Sequence, residues 1–225
     1  MKTENKQLIV RSVVRFSLLV QLLMAGIALA RAQESAEVVL EKAAKAYEES
    51  SGIEARFSVR ARSPQLPSGE SFEGLIHMKG EKFKLQIPGM IVWYDGETQW
   101  TYMERTEEVN VSTPTGDEFR FTNPIILLHS YQKGFDVSLK GSSTTRQGKS
   151  AYDVELTAKK KGDILSVDLQ IEKDTGFPAS MDVKMKDDMR NTVVISQWET
   201  SKNQPDSFFV FNGDEFPDAE VVDLR

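Results

Sequence analysis

Cysteine is absent from the 225-residue chain, and histidine occurs twice, at His77 and His129. Without cysteine there is no disulfide, no thiol chemistry and no cysteine-ligated metal, and no residue on which a lipid anchor can be built. Two histidines outside any metal-ligand spacing make a poor zinc site. A Gly-rich phosphate loop and a Gly-x-Ser-x-Gly elbow are also missing. The paired acids Glu107-Glu108 and Asp187-Asp188 fall at turns or strand starts, where charge is simply solvated, and Lys159-Lys160-Lys161 reads as a solubilising hairpin. These absences point to a binding protein with no catalytic residue, no metal and no cofactor.

Positive charge is outnumbered, with 28 Lys and Arg against 34 Asp and Glu and a formal net charge of −6, and a basic cluster opens the chain. Lys2, Lys6, Arg11 and Arg15 precede the apolar run from Phe16 to Ala30, which closes in the small-x-small sites Ala28-Leu29-Ala30 and Ala30-Arg31-Ala32. That layout predicts a cleavable secretory signal over residues 1–32, cut before Gln33, and hence a periplasmic protein. About 15 apolar residues fall short of the roughly 20 that a spanning helix needs. Removing the signal takes five basic residues and one acid, so the charge moves from −6 to −10. Such a balance argues against nucleic acid or an anionic membrane as the main partner. Residues 33–225 suit one domain with a sizeable core.

That domain opens with an amphipathic helix, expected to be long. Ser35 is its N-cap, Ala36, Val39, Leu40, Ala43 and Tyr47 recur at helical spacing, and Ser51-Gly52 ends it. The rest is mainly strand. Ile53, Ala55, Phe57, Val59 and Ala61 alternate with polar residues. Strands follow at Glu70–Lys79 and Lys82–Ile87, then Pro88-Gly89 turns the chain. Further strands are expected near Glu107–Ser112, Phe135–Lys140, Tyr152–Lys159, Ile164–Glu172, Ser180–Lys186, Thr192–Trp198 and Phe208–Phe211. Short connections imply antiparallel neighbours. Between them Asn123-Pro124 starts a short helix carrying Ile125, Ile126, Leu127 and Leu128.

The most informative stretch runs from Met90 to Tyr102. Asp95-Gly96 between two β-rich runs predicts a two-residue hairpin pairing Tyr94 with Glu97, Trp93 with Thr98 and Ile91 with Trp100. Side chains alternate along a strand, so Ile91, Trp93, Trp100 and Tyr102 share one aromatic, apolar face. The opposite face, with Val92, Tyr94, Glu97, Gln99 and Thr101, is more polar.

The order of these elements resembles the periplasmic outer-membrane lipoprotein carriers, the LolA family. Ile91-Val92-Trp93-Tyr94-Asp95-Gly96-Glu97-Thr98-Gln99-Trp100-Thr101-Tyr102 is similar to the family's apolar strand, Asp-Gly turn and Thr-x-Trp-x-Tyr. Asn123-Pro124-Ile125-Ile126-Leu127-Leu128 resembles its lid helix, and Asp174-Thr175-Gly176-Phe177-Pro178 a turn common among such sorting proteins. Phe208-Phe209-Val210-Phe211 with Val221–Arg225 is similar to its closing strand and tail. The resemblance spans about Ser35 to Arg225. It implies a half-open antiparallel β-barrel of about 10–11 strands, a mainly β fold with a long N-terminal helix and a short lid helix over an apolar cavity. Phe83, Leu85, Ile87, Ile91, Trp93, Trp100, Tyr102, Val109 and Val111 would line that cavity for acyl chains, and Ile125 and Leu128 would close it. In one place the chain departs from the family. An Arg-Pro pair that often precedes the Phe83 strand, its arginine holding the lid, is replaced by the shorter Lys79-Gly80-Glu81-Lys82, and lysine lacks the bidentate fork.

The resemblance further implies a monomeric chaperone in lipoprotein transport and outer membrane biogenesis. Its partners would be acylated lipoproteins, an inner-membrane ATP-driven lipoprotein-releasing transporter and an outer-membrane acceptor. An acyl chain of roughly 15 methylenes costs on the order of 12 kcal/mol to expose to water, which is why such a carrier needs a cavity. Met78, Met90, Met103, Met181 and Met185 suit an adaptable lining. The alternative reading is a lipid- or lipoprotein-sensing periplasmic regulator built on the same half-barrel.

Overall fold

The computed structural model describes residues 34–114, 131–160 and 162–225. The expected signal over 1–32 and the expected lid helix with Ile125 and Leu128 lie outside them. Ser35 caps helix α1 (Ala36–Glu48), its hydroxyl accepting the Val38 N–H at 3.3 Å. The helix is 13 residues, shorter than the long helix expected, because its apolar stripe ends at Tyr47. Ala36, Val39, Leu40, Ala43 and Tyr47 are buried along that stripe, and the Tyr47 hydroxyl donates to the Gly80 carbonyl at 2.5 Å. Burial without a charge partner pushes the Tyr47 phenol well above its ordinary pKa.

Twelve strands follow among the described residues, against the 10–11 expected. They are β1 (Ile53–Arg62), β2 (Glu70–Lys79), β3 (Lys82–Ile87), β4 (Met90–Tyr94), β5 (Gln99–Met103), β6 (Glu108–Ser112), β7 (Phe135–Thr144), β8 (Ser150–Ala158), β9 (Ile164–Glu172), β10 (Pro178–Met185), β11 (Arg190–Thr200) and β12 (Glu220–Asp223). All belong to one sheet in the order β12-β6-β5-β4-β3-β2-β1-β11-β10-β9-β8-β7, which stays open between its edge strands β12 and β7. Neighbours joined by short turns pair antiparallel, as expected. Only β12, which reaches β6 by a long crossover, pairs parallel.

Helix α1 lies on one side of this sheet, the inner face. Its buried residues form one core with Ile53, Ala55, Ile76, Met78, Phe83, Val92 and Tyr94, and with Val154, Leu156, Val167, Leu169 and Ile171. The outer face of β8–β10 is polar. Glu155, Asp168 and Asp182 stand opposite one another there, with Lys140 and Arg190 as counter-ions. Burial, then the like charges of Glu155 and Asp182, raise the Asp168 pKa.

The expected strand Phe208–Phe211 is not formed. Asp206–Phe209 is a 3₁₀ turn, a second follows at Gly213–Glu215, and the closing strand is β12. Both edges of β2–β5 are already paired, so this aromatic segment has no strand to join and crosses the sheet as a strap. The strap begins where the Lys202 N–H meets the Gly52 carbonyl at 3.1 Å, so close that a Cβ at Gly52 would overlap the Lys202 backbone. A second glycine is equally constrained. A Cβ at Gly74 would overlap the ring of Phe57, its cross-strand partner, and approach Ile87 to 2.9 Å. Gly74→Ala is therefore expected to destabilise the fold by about 1–3 kcal/mol in urea denaturation, the usual range for overpacking.

Candidate functional site

Strand alternation and the pairing register define the inner face residue by residue. Its rows run Ile53–Met78–Phe83–Tyr94–Gln99–Ser112 and Ala55–Ile76–Leu85–Val92–Thr101–Asn110. A third row carries Gly74, Ile87, Met90, Met103 and Glu108. On β1, β3 and β4 burial falls along the strand away from α1. On β1, Ile53 and Ala55 are fully buried, whereas Phe57 and Val59 are half-buried. On β3 the same happens from Phe83 to Leu85 and Ile87, and on β4 from Tyr94 to Met90. Across the sheet Val137, Leu139, Met181, Val183 and Ile195 are likewise half-buried.

Geometry accounts for this gradient. A 13-residue helix is about 20 Å long and about 10 Å across, while a ten-residue strand is about 33 Å long. However α1 lies, part of the apolar inner face extends beyond it. That region beyond α1, around Phe57, Val59, Leu85, Ile87, Met90 and Val183, is the candidate site.

The hairpin that organises one half of it differs from expectation in register. Tyr94 pairs with Gln99, Trp93 with Trp100 and Ile91 with Tyr102, two residues beyond the predicted partners. The Asp95 carboxylate explains the wider loop, because it accepts the N–H groups of Glu97 at 2.9 Å and Thr98 at 2.8 Å. A shift of two preserves alternation, so Ile91, Trp93, Trp100 and Tyr102 do share a face.

That face is the outer one. The tight Pro88-Gly89 turn pairs Ile87 with Met90, which sends Ile91 and Trp93 to the side opposite Phe83, Leu85 and Ile87. Val109 and Val111, opposite Tyr102 and Trp100, follow them. The nine residues expected to line one cavity are thus divided: Phe83, Leu85 and Ile87 are inner, and Ile91, Trp93, Trp100, Tyr102, Val109 and Val111 are outer. Phe83 is sealed under the helix, at 1 % exposure.

Of the outer six, Trp93 and Tyr102 pack against the strap. Phe211 and Phe216 stand edge-on to Trp93 at 5.5 and 5.6 Å, and Phe216 lies 4.7 Å from Tyr102. Lys84 sits over the rings of both Trp93 and Phe208. Lys79 and Lys82 do not take the place of a lid arginine among the described residues. Both reach Asp206 of the strap, at 3.3 and 2.7 Å, and Lys79 also donates to the Gln204 carbonyl at 2.9 Å. These hydrogen bonds and charges hold the Asp206 carboxyl below its ordinary pKa.

Of the five methionines, Met90, Met181 and Met185 lie half-buried on the inner face, Met78 is buried, and Met103 is 38 % exposed. A depression of about 380 Å³ opens beside Phe57 and Ile87, but Arg56, Glu73, Gln86 and Ser196 give it a mixed, charged lining unsuited to an acyl chain. Among the described residues no group of three His, Cys, Asp or Glu is placed to hold a metal ion, and no helix is long and apolar enough to cross a membrane. Sequence reasoning did not place Phe57, Val59 or Val183 in the site, and offered Met90 only as one of five methionines suited to an adaptable lining. The Pro88-Gly89 turn carried the signal, since it alone fixes which side of β4 faces Ile87.

One open, mainly β sheet with a helix against half of an apolar face defines a LolA-like fold. The family model described as "Outer membrane lipoprotein carrier protein LolA" matches residues 27–188, and the chain belongs to that family. Among solved structures, an uncharacterized conserved protein from Thermus thermophilus shares the fold with a TM-score of 0.57 at 14% identity, over 82% of this chain and 96% of that one. The LolA superfamily protein NE2245 from Nitrosomonas europaea aligns at a TM-score of 0.45 and 14% identity, over 79% and 98% of the two chains. Lipoprotein LppX from Mycobacterium tuberculosis aligns at 0.43 and 12%, over 76% and 96%. No curated protein matches the sequence.

His77 ties the sheet to the strap. It is buried on the outer side, its Nε2 3.0 Å from a Glu54 carboxylate oxygen and its ring 4.9 Å from Phe208. Burial lowers its pKa below the ordinary 6.5, with Glu54 partly opposing. The unfolded chain therefore takes up the proton first as pH falls. The contribution of His77 is complete well above pH 6.5 and is lost as the pH drops through that value toward the folded pKa. Urea midpoints measured between about pH 8 and 5 should fall more steeply for the natural protein than for His77→Gln.

Proposed function

We propose that this protein is a non-enzymatic periplasmic carrier, exported by its N-terminal segment, that shelters the acyl chains of lipoproteins on the inner face beyond α1 and moves them from the inner to the outer membrane. One observation carries the reading: a continuous apolar surface on β1–β4 and β7–β11 runs past α1, the helix packed on one end of it. Water contact there is costly, at about 25 cal/mol per Å² of apolar surface, and a hydrocarbon chain removes it without needing any directed hydrogen bond. Family membership supports lipoprotein as cargo. Leu85 and Ile87 line this face beside Phe57, Val59, Met90 and Val183, with the buried Phe83 as its floor. Ile125 and Leu128 act as the lid that competes with cargo for the same wall. A releasing transporter would load the carrier and an acceptor at the outer membrane would empty it.

Neighbouring residues on one strand separate the two faces cleanly. Val183→Glu places a carboxylate on the inner face, whereas Lys184→Glu places one outside. In displacement of a fluorescent fatty acid, Val183→Glu should weaken binding at least about tenfold, since an unpaired charge in an apolar site costs well over about 1.4 kcal/mol. Lys184→Glu should leave it unchanged. Equal behaviour of two variants that both keep the natural melting transition would contradict the site.

A further inference from the structure

The inner face is not apolar throughout. Two of its rows change character between β4 and β5, where Tyr94 meets Gln99 and Val92 meets Thr101, and the third one strand later, where Met103 meets Glu108. Beyond it lies a half-buried polar strip of Gln99, Thr101, Glu108, Asn110 and Ser112. Its members are already oriented by one another. The Gln99 amide donates to the Thr101 hydroxyl at 3.3 Å, and the Asn110 amide to the Glu108 carboxylate at 2.7 Å. The parallel strand β12 extends the strip, setting Glu220 beside Glu108 and Val222 beside Asn110. No lysine or arginine occurs in β4, β5, β6 or β12, so the fixed charge of the strip is negative.

Resting on the carrier reading, we propose that this strip is the headgroup subsite of the inner face. It takes an amphiphile whose polar end donates hydrogen bonds and is cationic or neutral, through amine and amide groups, and it rejects one whose polar end is a phosphate or carboxylate. The acyl chains lie on β1–β4, and the headgroup emerges across β5, β6 and β12. Amide and hydroxyl side chains pair with donors and acceptors of the headgroup. Glu108 and Glu220, adjacent and without a basic neighbour on their strands, are relieved by a positive group and repel an anionic one. Discrimination therefore comes from a repulsive element as well as an attractive one.

The test compares two probes with the same dipalmitoyl chains, a diacyl lipopeptide bearing an amine-containing peptide and dipalmitoyl phosphatidylglycerol, as displacers of a bound fluorescent acyl reporter. The lipopeptide should displace at a concentration at least about tenfold lower. Glu108→Lys should shrink or invert that ratio, and the milder Glu108→Gln should narrow it with the melting transition unchanged. Equal displacement by both probes, or a ratio indifferent to both substitutions, overturns the headgroup subsite and leaves the carrier standing. Displacement by neither probe overturns both.

Discussion

A helix about 20 Å long cannot cover strands about 33 Å long, and the architecture follows from that mismatch. The strands of the larger half carry apolar residues along their whole inner side, from Ile53 to Val59 on β1 and from Ala179 to Met185 on β10. Helix α1 seals one end, where burial is complete, and leaves the other end half-covered. Exposed apolar patches of this kind mark binding surfaces more often than not. The proposed function uses this arrangement: a core that holds the sheet open, and beside it an apolar area that gains by receiving a ligand.

The outer side of the same sheet meets the opposite requirement. On β4–β6 it is apolar too, with Ile91, Trp93, Trp100, Tyr102, Val109 and Val111, and the chain's own strap packs on it. Phe211 and Phe216 pack on Trp93 and Tyr102, Asp206 is held by Lys79 and Lys82, and β12 completes the crossing beside β6. The two faces of β4 thus do different jobs. Trp93 serves the fold, and Met90, one strand position from Ile91, serves the site.

Much of this was legible in the sequence. Alternation in β1, the Ser35 cap, the Asp95-Gly96 turn and the short connections identified a mainly β chain with one amphipathic helix at its start, and the order of motifs identified the family. Grouping Ile91, Trp93, Trp100 and Tyr102 on one face survived a register error of two, because alternation depends only on parity. Which side of the sheet that face takes was not legible, for a physical reason. A strand apolar on both sides carries no local mark of which side receives cargo, and the group that covers Trp93 is Phe211, more than a hundred residues away in sequence. The role of Lys79 and Lys82 was hidden in the same way, since their partner Asp206 lies in the strap. Phe208–Phe211 has strand-like composition, and only the absence of an unpaired edge among β2–β5 prevents it from pairing.

The central claim is that acyl chains lie on the helix-covered side of the sheet. Photocrosslinking with a diazirine-bearing palmitate, followed by peptide mass spectrometry, tests it directly. The account predicts labelling at Phe57, Val59, Ile87, Met90 and Val183, with none at Trp93, Trp100 or Tyr102. Labelling concentrated on those three aromatics would mean that the strap yields to the ligand, and would contradict the account.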